Sequence, residues 1–415
     1  MLDLDQLLRF AVEHGASDVH VKVGARPRLR VDGSLREAPF DTVEPADTDR
    51  LATGIMPATR AAAFRATNEA DFTYGIAGLG RFRVNAFRQR GFVGLVLRRV
   101  LPGIPGFEAL SLPPSVRALV DRSQGLLLVT GLAGSGKTST LAAMIDRINA
   151  ARACHVVTVE DPVEVLHPDK LAIVDQREVG TDTESLHTGL VHALRQDPDV
   201  VMVGELDDAA TAWAALQAAE AGVLVLSTLP TADATESVDR LIEMFPPHQQ
   251  RQVRATLARV LRGIVSQRLL PRAGGRGRVP AVEVLVVNAR VAERIFDPLR
   301  LGELEKEMAE GDLYGMQTFD QSIEGLYRSG LIEREEAIGH AQRAADLRIA
   351  LDRLDFERGA PTPGARPPAP RSRPPQGAPS EPPPAGPPPS GPAPSGPAPS
   401  GPAPSGPAPS GPAPG

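Results

Sequence analysis

Residues 131–138, GLAGSGKT, have the types and the spacing of a phosphate-binding loop. An apolar run, GLLLVT, precedes them and a helical stretch follows, which is the context that the G-x-x-x-x-G-K-[ST] motif requires. Such a loop directs backbone N–H groups at a β-phosphate, while its lysine spans the β- and γ-phosphates and its hydroxyl residue binds Mg²⁺. We therefore expect the chain to bind a nucleoside triphosphate. The predicted binding residues are Gly131, Leu132, Ala133, Gly134, Ser135, Gly136, Lys137, Thr138 and Ser139.

Two strand ends offer the carboxylates that a P-loop needs for Mg²⁺ and for the attacking water. The runs are VTVEDPVE and VVMVGELDD, and the candidates are Glu160, Asp161, Glu164, Glu205, Asp207 and Asp208. Acids after apolar strands also serve as helix caps or solvated turn residues. Their occurrence on two strands of one P-loop domain favours a functional role.

The elements that must position these residues follow an α/β pattern. The apolar runs GLLLVT, HVVTVE, DVVMVGE and GVLVLST alternate with helical stretches, which is typical of a doubly wound sheet. Upstream, a helix over 3–14, a strand at 18–23 and two hairpins indicate a small α+β domain. The predicted division is an N-terminal domain at 1–100, a linker at 101–115, a P-loop core at 116–288, a helical region at 289–357 and a low-complexity tail at 358–415.

Composition excludes several classes of protein. Of the 415 residues, 42% are hydrophobic and 23% are charged, which describes a soluble globular chain. The net charge of -6 gives no reason to expect nucleic-acid binding. Cys154 is the one cysteine, so the sequence has no internal disulfide and no Cys-only metal site. No signal peptide and no long apolar run is evident, and we expect a cytoplasmic location.

Four longer segments, VEDPVE, QREVGTDTESLHTGLVHALRQDPDVVMVGE, IVSQRLL and GMQTFDQSI, carry a resemblance to a known family. Together they resemble the secretion and type IV pilus motor ATPases, most closely the PilT-like pilus-retraction branch. The resemblance runs from residue 1 to about 350. It implies an α/β fold, with an N-terminal α+β (PAS-like) domain, a RecA-like P-loop ATPase domain, a helical C-terminal region and a disordered tail.

The resemblance also implies a function: a hexameric motor that hydrolyses ATP with Mg²⁺ and drives pilus retraction in twitching motility. Implied partners are other subunits of the ring, an inner-membrane pilus platform protein and paralogous motor ATPases, with a location at the cytoplasmic side of the inner membrane. In the implied site, Glu164 is the general base or orients water, Lys137 contacts phosphate, and Thr138 and Glu205 hold Mg²⁺ directly or through water. Candidate arginines acting on a neighbouring subunit's phosphates are Arg81, Arg83, Arg90 and Arg98; the alternative is a solvated strand face.

The sequence departs from the family pattern at several positions. Pro230 replaces the histidine of a T-L-H-T motif, Val223 replaces a second histidine, and Asp207 replaces an arginine. The C-terminal signature of the retraction branch is degenerate at 289–298. Loss of a donor near the γ-phosphate raises a barrier by about 2.7–4 kcal/mol, and three neighbouring carboxylates should raise the pKa of at least one.

These departures from the family pattern leave three functional hypotheses open. The first is a retraction motor with slow turnover and near-normal nucleotide affinity. The second is an accessory ring subunit that binds ATP, scarcely hydrolyses it and modulates a paralogous motor. The third is an ATPase of pilus assembly or type II secretion, which the lack of a paired-CxxC element disfavours.

The tail ends in SGPAP repeats and is expected to be a disordered spacer or a docking site for a proline-binding partner. Deleting residues 358–415 should leave ATP binding and ring formation unchanged, because a segment without a core adds little to folding. Equilibrium nucleotide binding and the mass of the assembly measure this. Loss of hexamers on truncation would show that the tail is structural.

Overall fold

The computed structural model describes residues 2–31, 33–100, 103–275 and 277–357, and the tail at 358–415 lies outside these described residues. Its first layer is an antiparallel sheet in the order β3-β2-β1-β6-β5-β4. The strands are β1 (Asp18–Lys22), β2 (Arg28–Val31), β3 (Ser34–Glu37), β4 (Glu69–Ile76), β5 (Gly80–Gln89) and β6 (Phe92–Arg99). The helices with it are α1 (Leu4–Glu13), α2 (Pro45–Ile55) and α3 (Ala58–Thr67).

Buried and exposed side chains alternate along β5, so the two faces of this sheet have different roles. Phe82, Val84 and Ala86 are buried in the hydrophobic cluster on one face of this sheet, whereas Arg81 and Arg83 lie on the opposite face. Successive side chains of a strand point to opposite faces, so one strand both closes a core and presents a pair of cations.

The second sheet contains the P-loop strand and has the order β13-β12-β7-β11-β10-β8-β9. Its strands are β7 (Gly125–Thr130), β8 (His155–Glu160), β9 (Ile173–Glu178), β10 (Val200–Val203), β11 (Leu224–Leu229), β12 (Leu261–Pro271) and β13 (Arg278–Val286). The helices with it are α4 (Pro114–Val120), α5 (Lys137–Ala151), α6 (Leu186–Ala193), α7 (Ala209–Glu220), α8 (Ala234–Glu243) and α9 (Pro247–Val260). Among the described strands of this sheet, only β13 pairs antiparallel to its neighbour.

The register of the parallel strands brings the candidate site residues to one edge. Thr130 of β7 lies opposite Leu229 of β11, and Val203 of β10 lies opposite both Ser227 and Val159. The loops after β7, β8, β10 and β11 therefore leave the sheet on the same side, where parallel α/β sheets bind ligands. Every residue of β7, β10 and β11 is buried, as expected for strands that are covered on both faces.

Sequence analysis did not identify β9. This strand pairs only with β8, and Ile173 and Asp175 are exposed along it. An edge strand with polar side chains lacks the continuous apolar run by which its buried neighbours are recognised. Its C-terminal residue, Glu178, nevertheless reaches the candidate site.

The segment 289–357 is helical. It contains α10 (Ala289–Phe296), α11 (Leu304–Ala309), α12 (Phe319–Arg328), α13 (Arg334–Gly339) and α14 (Ala344–Glu357). Phe319 and Ile323 of α12 pack with Leu270 and Val279 of the β12–β13 hairpin. Within the described residues, no helix has both the length and the apolar character that a bilayer crossing requires.

Candidate active site

The phosphate-binding loop joins β7 to α5, as its motif predicts. Gly131 has φ +146°, and a Cβ there would lie 2.3 Å from Ser135 Oγ and 2.5 Å from the Gln267 carbonyl oxygen, so only glycine fits. Leu132, Ala133 and Gly134 form the exposed part of the loop, and Gly136 precedes the first turn of α5. The helix N-terminus and the loop amides together form the kind of site that binds phosphate.

Lys137 is the first residue of α5, and its Nζ donates to the Gly131 carbonyl at 2.7 Å and to the Leu132 carbonyl at 3.3 Å. Burial lowers the pKa of this ammonium, and the charge of Glu205 opposes the effect. Thr138 lines the same cavity as Lys137, whereas Ser139 is half-buried on α5 and does not line that cavity.

A cavity of about 370 Å³ lies between the P-loop helix and the ends of β8 and β10. Lys137, Thr138, Glu164 and Glu205 all line it, together with Glu160. The structure thus brings the candidate phosphate, metal and water-activating residues to one space. Such a space suits a triphosphate and its attacking water.

Glu160 differs from Glu164 and Glu205 because it is buried. It is 6% exposed, and its Oε1 accepts from Thr158 Oγ1 at 2.7 Å and from Gln176 Nε2 at 3.2 Å. Burial raises the pKa of this carboxyl group. Glu164 and Glu205 are half-buried and line the cavity, so a ligand or water in the cavity can reach both side chains.

The four candidate arginines occupy different environments. Arg83 Nη1 donates to Glu164 Oε1 at 3.2 Å and also lines the cavity, while Arg81 Nη2 donates to Glu178 Oε2 at 3.2 Å. Arg98 Nε instead donates to Asp18 at 2.8 Å, between neighbouring strands of the first sheet. Arg90 lies in the turn between β5 and β6 with φ +51°. Their action on a neighbouring subunit stays a prediction.

Sequence analysis missed three residues that shape this site. Gln176 Nε2 also donates to the Val165 carbonyl at 2.7 Å, so β9 holds the loop that carries Glu164. His167 lines the cavity wall, and burial lowers its pKa to about 4. Glu178 accepts from the Val163 amide at 3.1 Å. The run QREVG contains Glu178, but nothing local in the sequence shows what its carboxylate meets.

Of the two alternatives for the carboxylates after β10, Asp208 takes the helix cap. This side chain is the N-cap of α7, and its two oxygens accept from Thr211 N at 2.7 Å and Thr211 Oγ1 at 3.0 Å. The backbone hydrogen bond from Thr211 holds the pKa of Asp208 below its usual range, since it favours the charged form. Asp207 is exposed beside it.

The departures at Pro230 and Val223 lie in different places. Pro230 is exposed directly after β11, and Thr228, two residues earlier, lines the cavity and donates to the Gly204 carbonyl at 2.7 Å. Val223 precedes β11, and its carbonyl accepts from Gly125 at the start of β7. The P-loop follows the C-terminal end of β7, whereas Val223 lies at the N-terminal ends of β7 and β11. Val223 therefore does not belong to the nucleotide site of its own chain.

A second buried carboxyl group predicts a pH dependence of stability. Glu283 of β13 is 1% exposed, its Oε1 accepts from Ala234 N at 2.8 Å, and burial raises its pKa to about 7. The folded state therefore retains a proton that the unfolded chain releases at lower pH. Its contribution to the free energy of unfolding is complete below the unfolded pKa and is lost as the pH rises through about 7.

Glu283→Gln should make stability less dependent on pH between about 5 and 8 than it is in wild type. Across that window the free energy of unfolding of wild type should fall by on the order of 3 kcal/mol more than that of the variant. Thermal melts of both proteins in a pH series measure it. Parallel pH profiles would show that Glu283 does not titrate in this range.

A P-loop at the end of a mostly parallel sheet, facing carboxylates from neighbouring strands, defines a P-loop ATPase. The family model described as "Type II/IV secretion system protein" matches residues 2–294. Two Pseudomonas aeruginosa proteins are each 38% identical. They are "Type IV pilus ATPase PilU", over 84% of this chain and 91% of the relative, and "Type IV pilus retractation ATPase PilT", over 81% and 97%.

A crystal structure of the pilus retraction motor PilT with bound ADP is 43% identical, has a TM-score of 0.75, and is matched over 82% of this chain and 98% of that one. The chain belongs to the type II/IV secretion ATPase family and, within it, to the PilT-like type IV pilus retraction ATPases. This confirms the resemblance and the ATPase class that the sequence motifs indicated.

Proposed function

We propose that the protein is a hexameric motor that hydrolyses ATP, with slow turnover, and drives type IV pilus retraction. The observation that carries this proposal is the common cavity of Lys137, Thr138, Glu164 and Glu205 in a chain that is 38% identical to a retraction ATPase. The ADP in the PilT crystal structure supports ATP as the nucleotide.

Mg²⁺ fits the residues present. Among the described residues, no three His, Cys, Asp or Glu side chains come together as metal ligands. Mg²⁺ in P-loop enzymes is held mostly by phosphates and waters with one or two protein oxygens, which Thr138 and Glu205 would supply. The ion would neutralise charge on the phosphates.

The remaining roles follow from position and chemistry. Lys137 would move from the P-loop carbonyls to the β- and γ-phosphates, and Glu164 would orient the attacking water and accept its proton. Arginines of the N-terminal domain, with Arg83 nearest to Glu164, would complete the charge around the γ-phosphate, from the same chain or from a neighbour in the ring.

Purified protein tests the proposal directly. It should form hexamers and release phosphate from ATP in a Mg²⁺-dependent reaction, at a rate above that of Lys137→Ala. A hexamer with no turnover above that variant would remove the motor and favour the accessory subunit.

The accessory subunit is the second candidate because of Pro230 and Asp207. A proline after β11 offers no hydrogen-bond donor to a γ-phosphate, and an acid replaces an arginine in the loop after β10. Such a subunit would bind ATP and modulate a paralogous motor ring.

Restoring the family residues at positions 207 and 230 distinguishes the motor from the accessory subunit. We expect Pro230→His to raise kcat only modestly, because Asp207 keeps its negative charge beside Glu205. Pro230→His with Asp207→Arg should raise kcat by more than the product of the single effects. Steady-state phosphate release measures all four proteins. Wild-type rates throughout would show that both departures are neutral.

The surroundings of the motor are part of the proposal. Its partners would be an inner-membrane pilus platform protein, paralogous motor ATPases and a proline-binding protein for the tail, and its place would be the cytoplasmic side of the inner membrane. We further propose that the N-terminal domain is PAS-like, which its one antiparallel sheet with flanking helices supports.

A further inference from the structure

Glu178 lies where the N-terminal domain meets the loop that carries Glu164. The residue is 7% exposed, and its carboxylate accepts from three groups. Thr73 Oγ1, at 2.9 Å, and Arg81 Nη2, at 3.2 Å, come from the N-terminal sheet. The Val163 amide, at 3.1 Å, belongs to the residue directly before Glu164.

Neighbouring contacts join the same two parts of the chain. Arg60 Nη2 donates to the Val179 carbonyl at 2.8 Å, and Thr59 Oγ1 donates to the Gly180 carbonyl at 2.7 Å. At Gly180, with φ +86°, a Cβ would lie 2.6 Å from the Arg60 guanidinium, so a larger residue would displace the Arg60 side chain from this contact.

From these contacts we infer that Glu178 is a positioning residue, which makes the placement of Glu164 depend on docking of the N-terminal domain. The inference rests on the proposed function, because Glu164 is the residue whose position matters. Arg81 and Arg83 lie two residues apart on one face of β5. When this face is docked, Arg81 therefore pairs with Glu178 and Arg83 pairs with Glu164. Without Arg81, Glu178 would be a buried carboxylate with no cation, and such a group rearranges or draws in water.

A positioning role predicts a loss of kcat without a loss of binding. Glu178→Gln should lower kcat roughly tenfold, since small displacements of a catalytic group cost about that much or more. The KM for ATP should stay within about twofold, because the P-loop contacts are untouched. Arg81→Gln should act in the same direction, and the double variant should be no slower than the slower single variant.

Asp355→Asn is the matched control. Asp355 is also buried, at 5% exposure, and also accepts from one arginine and one hydroxyl group, Arg334 and Tyr327. It lies on α14, and among the described residues no hydrogen bond or ion pair joins it to the loop after β8. Its replacement should lower stability and leave kcat within about twofold.

Hydrogen exchange provides a readout that does not need turnover. The Val163 amide should lose protection in Glu178→Gln and Arg81→Gln and keep it in Asp355→Asn. If Glu178→Gln fails to fold, Thr73→Val and Arg81→Gln test the same contact from the N-terminal side.

Retained protection of Val163 overturns the inference, as does a wild-type kcat in Glu178→Gln or an equal loss of kcat in Asp355→Asn. Wild-type protein without turnover would instead remove the proposed motor, and exchange at Val163 alone would then decide the role of Glu178.

Discussion

Glu164→Gln should lower ATP turnover by roughly 10²–10⁴-fold, the contribution typical of a general base. Glutamine keeps the size and one acceptor oxygen, but it cannot take the proton of the attacking water. Affinity for ATP should change little, because ground-state binding depends on the P-loop rather than on Glu164. Steady-state phosphate release and equilibrium nucleotide binding measure the two effects separately.

Glu37→Gln is the control for this change. Glu37 pairs with Arg28 at 3.2 Å, the same distance as between Arg83 and Glu164, and both pairs are partly exposed. Breaking this surface pair should leave turnover unchanged, since exposed ion pairs contribute little to stability. Equal losses in the two variants would exclude Glu164 as the base.

Lys137→Ala should remove hydrolysis and weaken nucleotide binding together. The ammonium contacts phosphate in both the ground state and the transition state, so we expect at least a 10²–10³-fold loss of turnover. Binding adds a second readout: a ligand at about 100 times its Kd stabilises a protein by about 2.7 kcal/mol. ADP should therefore raise the melting temperature of wild type and not of Lys137→Ala.

The exposed Lys306 provides the comparison for Lys137. It lies on α11 and faces Glu310 at 3.9 Å, far in sequence from the P-loop. Lys306→Ala should show the same stabilisation by ADP as wild type. A Lys137→Ala protein that ADP stabilises fully would contradict the role of this lysine in phosphate binding.

Much of the fold follows from local patterns in the sequence. The runs that form β7, β8, β10 and β11 are apolar because parallel strands are covered on both faces, and the P-loop motif fixes the turn into α5. β9 is not predictable in this way. It lies at the edge of the sheet, and its pairing with β8 depends on partners that its own composition does not reveal.

In the site, too, residues within sequence motifs can be predicted, whereas contacts between segments that are distant in sequence cannot. Lys137, Thr138, Glu164 and Glu205 follow strands or begin a helix, so motif and topology together place them in one cavity. The role of Glu178 depends on Thr73, which lies 105 residues away in sequence, and spacing alone cannot bring the two together. Asp208 shows the reverse case, because its position three residues before Thr211 already fits the helix cap that the sequence offered as an alternative.

The face that β5 presents to Glu164 and Glu178 limits how this protein could be recombined with its relatives. A chimera with residues 1–100 from another member would need arginines at both positions and a hydroxyl residue opposite them on β4, where Thr73 pairs with Arg83. A register error of one residue would turn both arginines into the hydrophobic core on the other face of the first sheet. Such hybrids should therefore fold, but they should hydrolyse ATP only when β4 and β5 come together from the same protein.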